Sequence, residues 1–327
     1  SVITQGIAKD HFTRVIRADP KRRGLLYCGT EAGMYISFDD GATWKTFQLN
    51  LPIVPITDLA IKNDDLIVAT QGRSFWVLDD LTVLHQWQPE AMNKPFHLLA
   101  PRPAYRLLAG SGGELRGRAA LLYGQNPPYG ADIRFYLKDE PKPDVPASLE
   151  IFDDRGRTVR RLARPEQPGS EALALKKGMN QWTWNLRHTN AESFPGMILW
   201  GSLTGPKVRP GEYQVKLTLG DQSQIVALRV LPDPRSSAKP EDFVAQEEFL
   251  LAIRDKLTET HRTIKALRDV REQLQQIGKR VKDDDVKAAA QRLDHALTPI
   301  EETLYQTKAR SGQDLLNFPV RLNNKLA

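Results

Sequence analysis

Short apolar runs recur about every ten residues in two separate stretches of the chain, each run closed by a cluster of turn-forming residues, and this spacing dictates the fold class. In residues 1–80 the runs are Gly24 to Cys28, Gly33 to Ser37, Thr46 to Leu51, Ile56 to Ile61, Leu66 to Thr70 and Phe75 to Leu78. Asp39-Asp40-Gly41, Asn63-Asp64-Asp65 and Gln71-Gly72 stand between them. Helices need longer uninterrupted periodicity, so the pattern predicts antiparallel sheets of a sandwich, barrel or propeller. The 22 prolines and 22 glycines suit a chain with many turns.

Residues 81–129 read as a connector, punctuated by Pro89, Pro95, Pro101, Pro103, Pro127 and Pro128 and carrying the tract Gly110-Ser111-Gly112-Gly113. The strand pattern returns over 130–232, with a turn at Asp153-Asp154-Arg155-Gly156. About seven short strands in that stretch predict an immunoglobulin-like sandwich. Within it Trp182, Trp184 and Leu186 share one face of a strand, and the two tryptophans are expected to fill the core. After Pro232-Asp233-Pro234 the period changes. Leu250, Ile253, Leu257, Ile264, Leu267, Leu274 and Ile277 follow a 3-4 spacing, repeated by Val286, Ala290, Leu293, Leu297, Ile300 and Leu304. Residues 239–327 are therefore expected to form a helical hairpin or bundle, with Gly278 at the turn and Asp283-Asp284-Asp285 opening the second helix.

A length of 327 residues fits about two domains, three if they are small. With 46 Lys+Arg against 40 Asp+Glu the net charge is +6, far from the density of a nucleic-acid binder, and no nucleic-acid partner is expected. The tail 239–327 is nearly neutral, with 16 basic and 15 acidic residues, and reads as a charge-laced helical pair. Cys28 is the sole cysteine, which excludes an intrachain disulfide framework. No apolar run approaches the roughly 18 residues of a membrane span. The absence of an initiator Met and the apolar residues Leu315, Leu316, Phe318, Val320, Leu322 and Leu326 so close to the end lead us to expect a processed chain or a piece of a longer one.

The most specific local pattern is Ser37-Phe38-Asp39-Asp40-Gly41-Ala42-Thr43-Trp44. Its physical logic is a tight hairpin in which the Asp39 carboxylate accepts backbone N–H groups, Gly41 takes a positive φ, and Thr43 and Trp44 re-enter the next strand. The five positions Ser37, Asp39, Gly41, Thr43 and Trp44 match the Asp-box S-x-D-x-G-x-T-W. With the surrounding "LLYCGTEAGMYISFDDGATWKTFQLNLP" and "DLIVATQGRSFWVLDD", residues 11–80 resemble the closing blades of bacterial neuraminidase-repeat propellers, themselves similar to sortilin-type propellers and xyloglucanase-like glycosidases. The resemblance implies that the Asp-box is structural and lies away from the substrate cleft. Residues 130–232, with "LEIFDDRGRTVRRL" and "RPGEYQVKLTLG", resemble the immunoglobulin-like module of flagellar hook-capping and cell-surface proteins. The tail resembles the helical segment that follows such modules in the same large propeller proteins. A propeller needs roughly four to eight blades. Residues 1–80 supply only about two, so the remaining blades are expected from the parent or from a partner chain.

A glycosidase would need two carboxylates across a cleft. Asp58, Asp64, Asp65, Asp79 and Asp80 are the candidate carboxylates in the first stretch; Asp64 and Asp65 sit in an apparent turn and Asp79-Asp80 end a strand, so turn and cap roles are expected. The histidines His11, His85, His97, His188, His261 and His295 show no ligand spacing, and Asp283 to Asp285 lack the pattern of a calcium loop, so neither metal nor other cofactor is expected. Cys28, in an apolar strand with no evident base, reads as structural. Arg155, Arg157, Arg160, Arg161 and Arg164 lie in ten residues; Arg155 and Arg157, flanking a turn, are candidate contacts for an anionic ligand. Phe194 and Trp200, in the Gly/Pro-containing segment 193–211, are candidates for an exposed aromatic contact.

These observations predict a mainly β, multidomain chain: terminal β-propeller blades over 1–80, an immunoglobulin-like β-sandwich over 130–232, and a C-terminal α-helical hairpin. Every specific motif serves folding, so the expected role is a non-catalytic scaffold or interaction portion of a large secreted, periplasmic or cell-surface bacterial protein, presenting a surface to protein or glycan. The alternative is the C-terminal part of a glycoside hydrolase whose catalytic carboxylates lie on blades outside this chain.

Overall fold

The computed structural model describes residues 3–107, 124, 126–166 and 170–327. The tract Gly110 to Gly113 lies outside the described residues. The architecture is mainly β with a helical C-terminal region.

The first unit is a pair of antiparallel meanders. Strands β1 (Thr13–Ala18), β2 (Leu26–Thr30), β3 (Gly33–Ser37) and β4 (Lys45–Thr46) lie side by side in chain order, as do β5 (Ile56–Lys62), β6 (Asp65–Thr70) and β7 (Phe75–Leu78). Lys62 pairs with Asp65, leaving Asn63 and Asp64 as a two-residue turn with φ of 51° and 68°. Positive φ at both positions is the primed geometry that matches the twist of a hairpin, and Asn and Asp tolerate it better than most residues. Val15, Tyr27, Met34 and Ile36 from the first sheet meet Ile56, Leu59, Leu66 and Val68 from the second in one core.

Nine strands build the second unit. A three-stranded sheet joins β8 (Phe96–Leu98), β10 (Ala131–Leu137) and β14 (Gly178–Trp184). The other sheet, six strands wide, runs in the order β13 (Glu171–Ala172), β12 (Thr158–Arg164), β11 (Ala147–Phe152), β15 (Gly211–Leu219), β16 (Gln222–Pro232) and β9 (Ala104–Arg106). The alternating residues Ala131, Ile133, Phe135 and Leu137 of β10 are buried, the period of a strand with one face inward. They share a core with Leu149, Ile151, Val215, Leu217 and Trp184 from both sheets. Within the Pro-rich stretch read as connector, β8 and β9 pair with different sheets, β8 antiparallel to β10 and β9 parallel to β16. Gln224 on β16 spans the gap, accepting from Leu98 N at 2.9 Å and donating to Phe96 O at 3.0 Å. The N–H and C=O at the edge of β8 are thereby satisfied.

Ion pairs fasten the two units. Asp80 meets Arg134 of β10 at 2.5 Å, and Asp65 meets Arg102 at 3.1 Å. Helix α1 (Thr82–Gln86) adds Gln86, which exchanges hydrogen bonds of 2.9 and 2.8 Å with the backbone of Ala100.

Helix α2 (Pro240–Arg280) carries proline at its first position, where no N–H is needed, and Asp242 accepts from Lys239 N at 2.9 Å. It runs 41 residues, about 60 Å at helical rise. Gly278, expected at the turn, remains inside this helix, and the reversal falls at 281–283. The reason is local: the Val281 N–H still reaches Ile277 O at 2.9 Å, and the new helix starts only where Asp283 Oδ1 can accept from Asp285 N and Val286 N. Helix α3 (Asp284–Leu304) returns along α2, followed by a 3₁₀ turn over Gly312–Leu316 and α4 (Leu322–Leu326). No residue from 265 to 300 is buried, although Leu257 and Ile264 are. No helix among the described residues is long and apolar enough to cross a membrane.

Candidate functional site

The turn from Ser37 to Trp44 is a closed hydrogen-bond system. Asp39 accepts from Thr43 N at 2.8 Å and from Thr43 Oγ1 at 2.6 Å, and Ser37 Oγ donates to it at 2.7 Å. Ser37 Oγ in turn accepts from Gly41 N at 2.9 Å, and Gly41 sits at φ 85°. The bonds from Thr43, then that from Ser37, hold the Asp39 carboxyl down at about 2. Trp44 is buried against Tyr35 and Cys28 and donates from Nε1 to Ile3 O at 2.8 Å. Ser37, Asp39 and Thr43 all use their side chains in closing the turn. Burial pushes the neighbouring Cys28 thiol up to about 11, the state of an inert structural sulfur.

Of the carboxylates available for acid–base chemistry, Asp58, Asp64, Asp65 and Asp80 are similarly engaged. Asp58 meets Arg17 at 2.5 Å, Asp64 meets Lys21 at 2.6 Å, and Asp65 and Asp80 hold the arginines that join the two units. Asp79 is pushed up by burial and by Asp65 and Asp80. Asp19 is buried and accepts from Tyr27 at 3.1 Å, His85 at 2.9 Å and two turn N–H groups. Burial works to raise it and is outweighed by the turn N–H groups and His85, so its carboxyl stays low.

The remaining candidates separate. Arg157 is tied to Asp153 at 2.8 Å, and Arg155, more than half exposed, reaches Glu248 at 3.8 Å. Phe194, expected at the surface, is buried, because α2 and the end of α3 dock over the 193–211 segment and enclose it with Ile264 and Tyr305. The Arg268 guanidinium lies 4.9 Å from the Phe194 ring and 5.1 Å from that of Tyr305. Trp200 is 51% exposed, yet its indole N–H donates to Gly312 O and its backbone N–H to Asn324 Oδ1 at 2.9 Å. It fastens the C-terminal segment.

A feature without a sequence signature lies beneath α2. Glu247, 4% exposed, accepts from His188 Nε2 at 2.9 Å, Arg209 N at 2.9 Å and Arg209 Nη1 at 3.0 Å. Burial works to raise its pKa, and the bonds from His188 and Arg209 bring it below the usual glutamate value. Arg209 is also held by Asp154 at 2.6 Å. These contacts pin the helix to the two-sheet unit.

A cleft of about 650 Å³ opens at the mouth of the two-sheet unit. Its lining includes Trp182, Met179, Leu173 and Leu175 with the amides of Gln181 and Asn180. Trp184 fills the core as expected, but Trp182 is only partly buried and lines this opening. Two of the charged groups in the cleft are paired, Arg134 with Asp80 and Asp132 and Glu171 with Arg160, while Lys176 also lines it without an ion pair among the described residues. Asn180 is held by Lys176 N at 3.0 Å and by Lys176 O at 2.7 Å, which fixes the loop bordering Trp182. A half-open aromatic and thioether wall beside amides is the composition of a site for a neutral, amphipathic ligand. Among the described residues no group of His, Cys, Asp and Glu could hold a metal ion.

No protein-family model matches the chain, and neither does any curated protein. Among solved structures it is similar to the extracellular domain of the putative one component system BT4673 from B. thetaiotaomicron, at 13% identity and a TM-score of 0.20, over 69% of this chain and 26% of that one. The extracellular domain of the putative hybrid two component system BT4673 from B. thetaiotaomicron gives 12% identity, a TM-score of 0.20, and coverage of 68% and 26%. The chain thus spans about a quarter of the length of these structures.

Proposed function

We propose that the chain is a non-catalytic interaction portion of a larger secreted or periplasmic propeller protein, and that it binds neutral glycan in the Trp182 cleft. The first unit then contributes terminal blades with an Asp-box at Ser37, Asp39, Gly41, Thr43 and Trp44, and further blades come from the parent or a partner. The second unit serves as an immunoglobulin-like module, with the helical hairpin fastened to it. The cleft carries this reading: Trp182 is partly exposed in a space of about 650 Å³, within the size range of ligand pockets, and of its charged groups Arg134 and Glu171 already have partners, leaving Lys176 alone to meet a ligand hydroxyl. Sugar rings stack their apolar faces on such aromatic surfaces and direct hydroxyls to amides.

The test is affinity electrophoresis through gels containing neutral plant and bacterial polysaccharides, combined with a reducing-end assay on the same panel. The expected outcome is retardation by at least one polysaccharide, loss of that retardation in Trp182→Ala and in Gln181→Ala, and no reducing-end release. Gln181 is exposed, so its replacement leaves the core intact. Release of reducing ends that disappears in Asp79→Asn would overturn the non-catalytic assignment. Retardation unchanged by both substitutions would remove glycan binding from this cleft.

A further inference from the structure

A second cleft, of about 480 Å³, lies between the end of β9, the 187–207 segment and the first turns of α2. Its charge is not compensated. Arg106, Arg187 and Lys207 all line it, and among the described residues none of the three takes part in an ion pair. Their hydrogen bonds go elsewhere: Arg106 Nη2 to Gln246 at 2.7 Å, Arg187 Nη1 to Gly205 O at 2.8 Å, and Lys207 Nζ to Leu107 O at 2.8 Å. All three acceptors are neutral.

Arg106 is the decisive residue. It is 8% exposed, its guanidinium is stacked 4.9 Å from the Phe243 ring, and its Nε finds no acceptor among the described residues. A buried guanidinium with an unused donor incurs a desolvation cost that native folds offset with an anion. The carboxylates nearby do not fill that role. Glu247 is occupied by His188 and Arg209, and Asp242, at the cleft border, is exposed and accepts from the Lys239 N–H. Burial, then Arg187 and Arg106, push Lys207 down, and burial pushes Arg106 down although Tyr129, Glu247 and Tyr213 act against it. The cleft therefore holds a concentrated positive potential over a wall that includes Phe243 and Leu107.

We propose that this cleft binds a small organic anion through a phosphate or carboxylate group, with Arg106 as the fixed buried donor and Arg187 and Lys207 closing on the anion from the rim. Guanidinium forks match either oxyanion, and the volume leaves room for a body of about one or two sugar rings. This inference is independent of the Trp182 cleft, which takes a neutral ligand on the opposite logic.

Isothermal titration calorimetry on the full chain at low ionic strength tests it, with inorganic phosphate, glucose 6-phosphate, glucuronate and glucose as probes. Binding is expected for at least one anion and not for glucose, weakened about tenfold or more in Lys207→Gln and in Arg187→Gln, and weakened by added salt. Lys207 and Arg187 are half-buried at the rim, so circular dichroism should confirm both variants as folded. Preference for glucose 6-phosphate over glucuronate assigns the ligand to phosphate, and the reverse preference to carboxylate. The proposal is overturned if no anion binds, if glucose binds as well as the anions, or if both folded variants bind as the parent does.

Discussion

Replacing Glu247 with alanine removes the acceptor of three buried hydrogen bonds in one step. Arg209 keeps Asp154 at 2.6 Å, so its charge is not left bare. The orphaned groups are His188 Nε2, the Arg209 backbone N–H and Arg209 Nη1, all in a buried seam. Breaking a buried pair by deleting one partner costs about 3–5 kcal/mol. For a unit of this size that corresponds to a fall in Tm of roughly 10 °C, read by differential scanning calorimetry at pH 7. Pairing Glu247→Ala with His188→Ala in a double-mutant cycle should return a coupling of about 1–3 kcal/mol. The pH dependence has a fixed sign. The folded carboxyl lies below its ordinary value of 4.5, so its contribution is complete above that pH and declines as the solution is acidified through the lower folded value. Wild type and Glu247→Gln should converge on acidification. A Tm change below about 2 °C for Glu247→Ala would show that α2 is held by apolar contacts alone and would refute the lock.

Three further outcomes follow from the geometry. Gly130→Ala places a Cβ 2.0 Å from Trp184 O at φ +133°, so the two-sheet unit should lose several kcal/mol and express poorly, measurable by urea unfolding. Asp39→Asn should lower the melting temperature of the first unit at neutral pH, with the difference from wild type vanishing as pH falls from about 4 toward about 2, because the folded carboxyl titrates near about 2. Hydrogen exchange should find the amides of residues 265–300 much less protected than those around Leu257 and Ile264, since no side chain of that arm is buried; equal protection would require a contact that the fold does not contain.

What could be read from the sequence depended on how far apart the cooperating residues lie. The Ser37–Trp44 turn closes through bonds spanning four residues or fewer, so its pattern is local and visible. The alternation of Ala131, Ile133, Phe135 and Leu137 is likewise imprinted by a single buried face. Strands β8 and β9 have three residues each amid prolines, and their conformation is imposed by β10 and β16 rather than by their own composition. Phe194 was misplaced because its cover, Ile264 and Tyr305, comes from a region read as a separate hairpin. The Glu247 lock and the Arg106 cleft escape any motif, since His188 and Arg106 lie 59 and 140 residues from the α2 side chains they bond.

The route of the chain out of the first unit has a mechanical consequence. After α1 and a 3₁₀ turn over Pro89–Asn93 the backbone enters one sheet as β8 and then the other as β9, with Gln224 fastened across to the first of them. Tension applied between the N-terminal unit and the helices passes through this join. It loads two sheets at once, and extension would require rupturing backbone pairs in shear from both. The join behaves as a splice rather than a hinge, so a pull on the N-terminal sheets is delivered to the two-sheet unit.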